Sequence, residues 1–404
     1  MRVNFRFLHV QHLPDRVFPD PGFAGDRTGF TALRGGLRYQ ELIPPGPLDA
    51  DASCMLGTDP FRAEMARLWR EACGGNVFLP SGALELRNLV VFGSRGLLLD
   101  LEHKVALIGG AMNWGIDYAC YYVTSAPPEC AAVLHEDKNG FALDVPAEIP
   151  AEPRPGLLMM SPGQDIYGHW LLDYAPRLLL ASLMHGPATV RFYFHALPPW
   201  APPVLAAFGV PKAAVETAPR SLFMRYPLAA MPSGTKEGFR VPRPVNRMAW
   251  LRLKYMLLEM PLAGAERSRL PLAKRIFVSR SRWGSARTIS NAQRLEQLAV
   301  ARGFLPVHPE AFSLPAQARI FRAARIVLGE DGSGLHNVMF AEPGCVLGVI
   351  SVLDRINLWH MAICQHLGHK LCYVPAGPAA DGARTVDEAA FHGMIDVLDA
   401  AAGG

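Results

Sequence analysis

The apolar positions between residues 274 and 374 follow two alternating patterns. Short runs rich in β-branched residues predict strands, and the segments of about ten residues between them have helical periodicity. The predicted strands are Ile276–Ser279, Phe304–Val307, Ile326–Leu328, Cys345–Ile350 and Leu371–Val374. Strands that alternate with helices of this length predict a parallel α/β sheet.

A second alternating stretch lies earlier in the chain. Leu157–Met160 and Val190–Phe194 predict strands, and the residues from Ile166 to Met184 predict a helix that Pro176 should kink. Two such stretches, joined by a helical linker, predict two Rossmann-like domains that face each other across a cleft.

The first 150 residues have a different pattern. Residues 1–60 are rich in Gly, Pro and Asp and lack periodicity, whereas residues 76–145 carry short apolar runs typical of strands. We therefore expect an irregular and strand-rich extension over residues 1–150 and a Rossmann-like domain over residues 151–243. A linker helix over 244–262, a second Rossmann-like domain over 263–378 and a tail helix over 379–404 complete the expected organisation.

A glycine-rich turn follows the predicted strand Ile326–Leu328. Its residues, Gly329 to Asn337, lead into a helix-compatible segment, and unpaired backbone N–H groups at such a junction favour an anion. Arg280, Arg282 and Arg287 follow the preceding strand, and guanidinium groups bind phosphate oxygens in pairs. The turn matches neither the dinucleotide fingerprint nor the P-loop. It predicts either a phosphate-bearing ligand or a tight turn that serves backbone geometry alone.

Three polar residues share one face of the helix predicted over Ile166 to Met184. His169, Asp173 and Arg177 are spaced four residues apart. A histidine held by a carboxylate can act as a general base near neutral pH. Two alternatives remain open, namely a histidine bonded to backbone at the helix start and an ion pair between Asp173 and Arg177.

Composition narrows the class of protein. A chain of 404 residues corresponds to two or three domains of about 150 residues, and 50% hydrophobic residues suffice for a large core. The net charge of +4, without a long basic run, argues against nucleic-acid binding. Seven scattered cysteines without a C-x-x-C pair favour reduced thiols in the cytoplasm. Neither a signal peptide nor a spanning apolar run is evident, so we expect a cytoplasmic protein, with peripheral membrane association left open.

The turn and its neighbours also carry a resemblance. Together with the histidine–tryptophan pair upstream, they occur in the order found in glycosyltransferase family 61, which includes bacterial capsule and exopolysaccharide enzymes. The similar segments span about Gly163 to Ile350. They are Tyr167–Trp170, Phe277–Arg280, Ala286–Asn291, Gly329–Asn337, Phe340 and Pro343–Gly344.

The resemblance implies an inverting glycosyltransferase of GT-B type. A nucleotide-sugar donor, expected to be a UDP-sugar, would bind the second Rossmann-like domain, and a polysaccharide or lipid-linked glycan acceptor would bind the first. A polysaccharide assembly complex is a further expected partner, and neither a cofactor nor a metal is expected. The implied catalytic residues are His169 and Asp173. The implied donor-binding residues are Ser279, Arg280, Arg287, Asn291, Glu330, Asp331, Gly332, Ser333, Gly334, His336 and Asn337.

One departure from the family pattern lies within the turn. The family usually carries His-Gly-Ala where this chain has Asp331-Gly332-Ser333. A carboxylate cannot donate to phosphate as an imidazole can, but it can accept from sugar or ribose hydroxyls. His336, one turn later, could replace the missing imidazole, or it could be a core histidine.

Two other functions are compatible with the sequence. The chain could be a non-catalytic glycan- or nucleotide-binding protein that retains the fold, and the substitution at Asp331 favours this alternative. A nucleotide-sugar-modifying enzyme such as an epimerase is less well supported, because the dinucleotide fingerprint and a Tyr-x-x-x-Lys pair are missing.

Overall fold

Two compact units make up the chain. The computed structural model describes residues 1–9, 37–44, 46–57, 60–74, 77–78, 81–93, 96–108, 116–124, 130–161, 163–184, 190–217, 223–232, 243–282, 289–352, 357–378 and 384–403. The first unit contains Met1–Gly46 and Phe78–Glu237, and the second contains Pro47–Val77 and Gly238–Gly404. Both units combine strands with helices, which confirms the predicted α/β class.

The first unit is built mainly of strands. Its helices are Ile116–Thr124, the pair Tyr167–His169 and Ala175–Met184 separated by a π-helical segment at Trp170–Tyr174, and Ala201–Ala207, with a 3-10 turn at Lys212–Ala214, among the described residues. In chain order, the elements up to residue 232 are β1 Arg2–His9, β2 Leu37–Ile43, β3 Gly46–Pro47, α1 Pro60–Cys73, β4 Val77–Phe78, β5 Ser81–Phe92, β6 Leu97–Asp100, β7 Val105–Ile108, α2 Ile116–Thr124, β8 Val133–Leu134, β9 Gly140–Asp144, β10 Gly156–Leu158, α3 Tyr167–His169, α4 Ala175–Met184, β11 Arg191–Phe194, α5 Ala201–Ala207, β12 Val215–Thr217 and β13 Phe223–Pro232. Of these, α1 belongs to the second unit, and the paired strands β3 and β4 lie where the chain enters and leaves that unit.

One large sheet organises the first unit. Its strand order is β12-β11-β10-β13-β5-β6-β7-β1-β9-β8, and β2 pairs with β5. The strands β10, β11, β12 and β13 are parallel, as in one half of a Rossmann-like sheet. Strand β13 then pairs antiparallel with β5 over its whole length, from Phe223 opposite Phe92 to Pro232 opposite Ala83.

The strand pairing in this sheet does not agree with the expected domain boundary at residue 150. The β5–β13 pairing joins residues from both sides of that boundary in one unit. The expectation of an irregular segment over residues 1–60 is also wrong where the structure describes it, because β1 pairs with β7 and β9, and β2 pairs with β5. The partner of Arg2 is Asp144, and a pairing over that sequence distance leaves no local signal. Residues 10–36 lie outside the described residues.

The second unit carries the longer helices. Two short 3-10 segments, Pro309–Ala311 and Ser333–Phe340, complete it. Its elements after β13 are α6 Arg243–Glu259, α7 Gly264–Arg267, β14 Arg275–Val278, α8 Ala292–Ala301, β15 Leu305–Val307, α9 Leu314–Ala323, β16 Ile326–Glu330, β17 Val346–Val352, α10 Trp359–Leu367, β18 Lys370–Pro378, β19 Arg384–Thr385 and α11 Glu388–Gly403.

The sheet of the second unit has a doubly wound strand order. The order is β15-β14-β16-β17-β18-β19, and every pair except β18–β19 is parallel. Counted along the chain, the five parallel strands are arranged 2-1-3-4-5, so the order reverses between β14 and β16. Ligands of such sheets bind beyond the carboxyl ends of the strands at the reversal.

Two helices expected outside the second domain belong to the second unit. Helix α6, in the expected linker, is held at its end by Arg319, which donates to the carbonyls of Leu257, Leu258 and Met260. Helix α11, in the expected tail, packs on the sheet through the fully buried side chains of Phe391, Ile395 and Leu398. Among the described residues, no helix is long and apolar enough to cross a membrane.

Replacing Leu398 by Ala tests whether α11 is part of the core. Leu398 is fully buried and packs in one cluster with strand residues such as Leu328 and Val346, so we expect a loss of about 2–5 kcal/mol in the free energy of unfolding. The matched control is Asp396→Ala on the same helix. Asp396 makes an exposed ion pair with Arg302, so its loss should cost less than about 1 kcal/mol. Equal effects of the two changes in urea unfolding would contradict this role for α11.

Candidate functional site

The strand reversal in the second unit brings two predicted segments together. Val278 is opposite Gly329 in the parallel pair β14–β16, so both strands end at the same edge of the sheet. Arg280 follows β14 there, and Asp331 and Gly332 follow β16. Arg280 Nη1 donates to the backbone oxygen of Asp331 over 3.0 Å. The structure thus links the predicted arginine to the predicted glycine-rich turn.

Gly332 makes this approach possible because it has no side chain. A Cβ atom at this position would lie 2.0 Å from Arg280 Nη1, far inside van der Waals contact. The backbone at Gly332 is extended, so the conformation itself does not require glycine. The reason for a glycine here is therefore space for the guanidinium group.

Asp331 is held in place by residues that the sequence did not single out. Asn357 Nδ2 donates to Asp331 Oδ1 over 2.9 Å, and the Asp331 amide donates to the carbonyl of Ile350. His360 is fully buried on α10, and its Nδ1 lies 3.6 Å from Asp331 Oδ1. The rings of His360 and His336 are 5.1 Å apart. Burial lowers the pKa of His360, and the nearby charge of Asp331 opposes this shift.

Glu330 adds a second carboxyl group at this edge. Its side chain is buried, and burial raises its pKa, against the opposing effect of the Arg280 charge. The carboxylate of Glu296 favours the same upward shift in pKa. Ser279, also buried, donates its hydroxyl to Glu296 and thereby connects the end of β14 to α8. Positive and negative charges are therefore mixed around the turn.

The other predicted donor-binding residues have different surroundings. Asn337 is fully buried and donates to Gln317 Oε1 over 2.7 Å, and Asn291 bonds to both the amide and the carbonyl of Val386. The hydrogen bonds described for these two side-chain amides are therefore all bonds to other residues of the protein. Ser333 and Gly334 begin the 3-10 helix Ser333–Phe340, so the second half of the predicted turn is helical. Arg287 lies outside the described residues.

The first unit places the His169–Asp173 pair beyond the carboxyl end of β10. His169 ends α3, and Asp173 lies on the π-helical segment before α4. His169 Nδ1 is in hydrogen-bond contact with Asp173 Oδ2, and the histidine side chain is 31% exposed whereas the aspartate is 4% exposed. When a neutral imidazole donates from Nδ1 to a carboxylate, its Nε2 atom has a lone pair that can accept a proton. This geometry gives a half-exposed imidazole that can accept a proton.

The turn before α3 leaves space for the His169 ring because it contains Gly163. Gly163 has φ of +79°, a conformation that side chains other than glycine rarely adopt, and a Cβ there would lie 2.5 Å from the His169 ring. A π-helical segment within an α-helix is often found at a functional site. In this chain it precedes Pro176, whose missing N–H cannot bond to the carbonyl one turn earlier.

Arg177 and Trp170 have structural roles near this pair. Arg177 is buried, and its Nε, Nη1 and Nη2 donate to the carbonyls of Pro232, Met159 and Leu158, which lie at or just beyond the ends of β13 and β10. Burial lowers the pKa of Arg177, and the charge of Asp173 opposes this shift. Trp170 is fully buried and stacks on Tyr174 at 4.5 Å. Among the described residues, no three His, Cys, Asp or Glu side chains form a group suited to a metal ion.

The fold of the chain and its similarity to a known family agree on the class of protein. The chain is an α/β protein whose candidate residues follow the carboxyl ends of parallel strands in each unit. Residues 167–348, somewhat less than half of the chain, match the family model for Glycosyltransferase 61. This match supports the resemblance to glycosyltransferase family 61 and, with it, a glycosyltransferase. No curated protein matched the chain.

Replacing Gly332 by Ala tests how the turn accommodates Arg280. The added methyl group should displace the guanidinium group and break its bond to the Asp331 carbonyl. A crystal structure of the variant measures the displacement. Gly334→Ala is the matched control, because its Cβ would meet only side-chain atoms, the nearest at 3.3 Å. Unchanged Arg280 geometry in Gly332→Ala would refute the explanation.

Proposed function

We propose that this protein is an inverting glycosyltransferase that transfers a sugar from a nucleotide-sugar to a glycan. The proposed donor is a UDP-sugar. The acceptor is a polysaccharide or a lipid-linked glycan of capsule or exopolysaccharide biosynthesis. The bond from Arg280 to the Asp331 carbonyl carries the proposal, because it holds a guanidinium group at the strand reversal, where sheets of this order bind their ligands.

The second unit is the proposed donor site. Breaking the bond between the sugar and the diphosphate develops negative charge on the diphosphate, and a fixed guanidinium group stabilises that charge. Arg280 supplies this group, and Arg287 is proposed as its second member. The backbone N–H groups at the start of the 3-10 helix, from Ser333, are additional donors. The proposed reaction uses no metal ion.

The first unit is the proposed acceptor site. His169 Nε2 would remove the proton from the acceptor hydroxyl while the new bond between that oxygen and the sugar forms, and the diphosphate leaves with the electron pair of the old bond. Asp173 orients the imidazole and stabilises its protonated form. We further propose that the two units form the halves of a GT-B-type enzyme in the cytoplasm, at the membrane surface or within a polysaccharide assembly complex.

A non-catalytic binding protein is the second candidate. The observation in its favour is Asp331, a carboxylate where the family usually has a histidine, with one of its oxygens engaged by Asn357. A carboxylate repels phosphate but binds hydroxyl groups. Donor hydrolysis without an added acceptor separates this candidate from a transferase.

Replacing Arg280 by Ala tests the donor site. UDP-sugars should raise the melting temperature of the wild-type protein and be slowly hydrolysed, and the variant should lose the shift and at least about 90% of the hydrolysis rate. Arg325→Ala is the matched control. Arg325 is exposed and precedes β16, at the opposite end of the strand that leads into the turn.

The responses of the two arginine variants decide the outcome. Loss in Arg280→Ala with retention in Arg325→Ala supports the donor site. Stabilisation of the wild-type protein without turnover, even with glycans supplied, favours the binding protein. A melting temperature that no UDP-, GDP-, ADP- or CMP-sugar changes would contradict both candidates at this turn.

Replacing Asp173 by Asn tests the proposed base. The amide cannot stabilise the protonated imidazole, so kcat for transfer should fall about 100-fold or more while the affinity for donor changes little. Asp144→Asn removes one carboxylate from an exposed ion pair with Arg2 and serves as the control. A variant with wild-type kcat across pH 5 to 9 would remove Asp173 from the mechanism.

A further inference from the structure

The two oxygens of the Asp331 carboxylate have different surroundings. Asn357 Nδ2 donates to Oδ1 over 2.9 Å, whereas no described residue donates to Oδ2. The Asp331 side chain is 14% exposed. The adjacent Glu330 is buried, so Asp331 is the carboxylate of the glycine-rich turn that a ligand can contact.

Asn357 is itself held on two sides. Its Oδ1 atom accepts from the amide of Trp359 over 3.0 Å at the start of α10, which leaves the Nδ2 end to face Asp331. Its backbone carbonyl accepts from the hydroxyl of Tyr373 on β18 over 3.4 Å. The Asp331 carboxylate is therefore positioned before a ligand binds, and a preorganised acceptor favours affinity.

We propose that Asp331 binds a hydroxyl group of the nucleotide-sugar donor and thereby selects donors that carry this hydroxyl group. The inference rests on the function proposed above and assigns a specificity-determining residue in the same donor site. Asn357 is the positioning residue of this subsite. The hydroxyl group belongs either to the ribose or to the transferred sugar, and both present the same chemistry to a carboxylate.

The contact with Arg280 indicates which ligand carries the hydroxyl group. Arg280 Nη1 donates to the backbone carbonyl of Asp331, and both residues follow parallel strands at the reversal of the strand order. In a nucleotide-sugar the diphosphate is bonded to the ribose on one side and to the transferred sugar on the other. A diphosphate bound by Arg280 is therefore flanked by hydroxyl groups on both sides.

The charges around Asp331 favour a neutral hydrogen-bond donor. A phosphate group at Oδ2 would be repelled by the carboxylate, and a cationic group would be repelled by Arg280. A hydroxyl group is repelled by neither, and it donates the hydrogen bond that Oδ2 can still accept. The phosphate and hydroxyl groups of one ligand are thus bound by different residues.

His360 leaves the negative charge of Asp331 without compensation. It is fully buried, and its Nδ1 atom lies 3.6 Å from Asp331 Oδ1, which is too long for a hydrogen bond. Burial lowers the pKa of His360 below its ordinary value, so the imidazole is neutral near pH 7. A hydrogen bond to a charged acceptor is stronger than one to a neutral acceptor. The neutral imidazole therefore favours a strong bond between Asp331 and a ligand hydroxyl group.

Titration with deoxy analogues tests the subsite. The full-length protein is titrated calorimetrically with UDP, 2′-deoxy-UDP and 3′-deoxy-UDP, and then with the UDP-sugar that stabilises it most and the deoxy-sugar analogues of that donor. Removing the hydroxyl group that Asp331 binds should weaken binding to the wild-type protein about tenfold or more. Asp331→Ala should bind the parent compound and that analogue with affinities within about threefold of each other. Asp100→Ala is the matched control, because it removes a carboxylate that is 12% exposed beside His103 in the first unit.

The outcomes separate the subsite from the proposed function. Discrimination by the wild type and Asp100→Ala, reduced in Asn357→Ala and lost in Asp331→Ala, supports the subsite. Equal affinity of the wild type for every analogue, or discrimination retained in Asp331→Ala, overturns the subsite and leaves the donor site standing. Failure of the wild type to bind any UDP compound rejects both. Discrimination without donor hydrolysis keeps the subsite and rejects the transferase. If Asp331→Ala does not fold, Asp331→Asn, which removes the charge at nearly the same size, should discriminate less than the wild type.

Discussion

The parallel hydrogen bonding of β14 with β16 is the constraint on which the site of the second unit depends. Parallel strands must return through a crossover, so their carboxyl ends meet at one edge, and here that edge is also the reversal of the strand order. Arg280 and Asp331 are 51 residues apart in the sequence and meet only because of this register. The missing side chain of Gly332 then gives the guanidinium group room to reach the backbone. A sheet with another register would separate the same residues.

Local sequence patterns were sufficient to predict the features that depend on neighbouring residues. The alternation of apolar runs and helical segments predicted the parallel sheet of the second unit, and its strands lie close to the predicted positions. The spacing of His169 and Asp173 predicted a shared helical face, and the two side chains are in contact. The first feature depends on the spacing of apolar residues within single strands and helices, and the second on residues one helical turn apart. Both spacings can be read directly from the sequence.

The same patterns did not predict hydrogen bonds or strand pairing between segments that are distant in the sequence. An ion pair between Arg177 and Asp173 was one open alternative, whereas Arg177 donates to carbonyls at the ends of two strands, one of them 55 residues away. Asn357 and His360, which surround Asp331, follow the next strand along the chain and belong to no motif. A buried histidine in the first turn of a helix that follows a parallel strand is a weak signal, because core histidines produce it too. The strands Arg2–His9 and Leu37–Ile43 were missed because distant segments supply their partner strands.

The insertion of residues 47–77 into the second unit determines the order in which the protein can fold during synthesis. Met55 forms a bridge with Leu371, so this segment emerges from the ribosome long before the strand it contacts. At roughly 5–20 residues per second, its wait is on the order of 15–60 s. The strands of the first unit are complete by Pro232, so that unit can fold while α1, with its buried Met65 and Trp69, still lacks the sheet that covers it. During this interval the apolar face of α1 is exposed to solvent, and transiently exposed apolar surface favours aggregation.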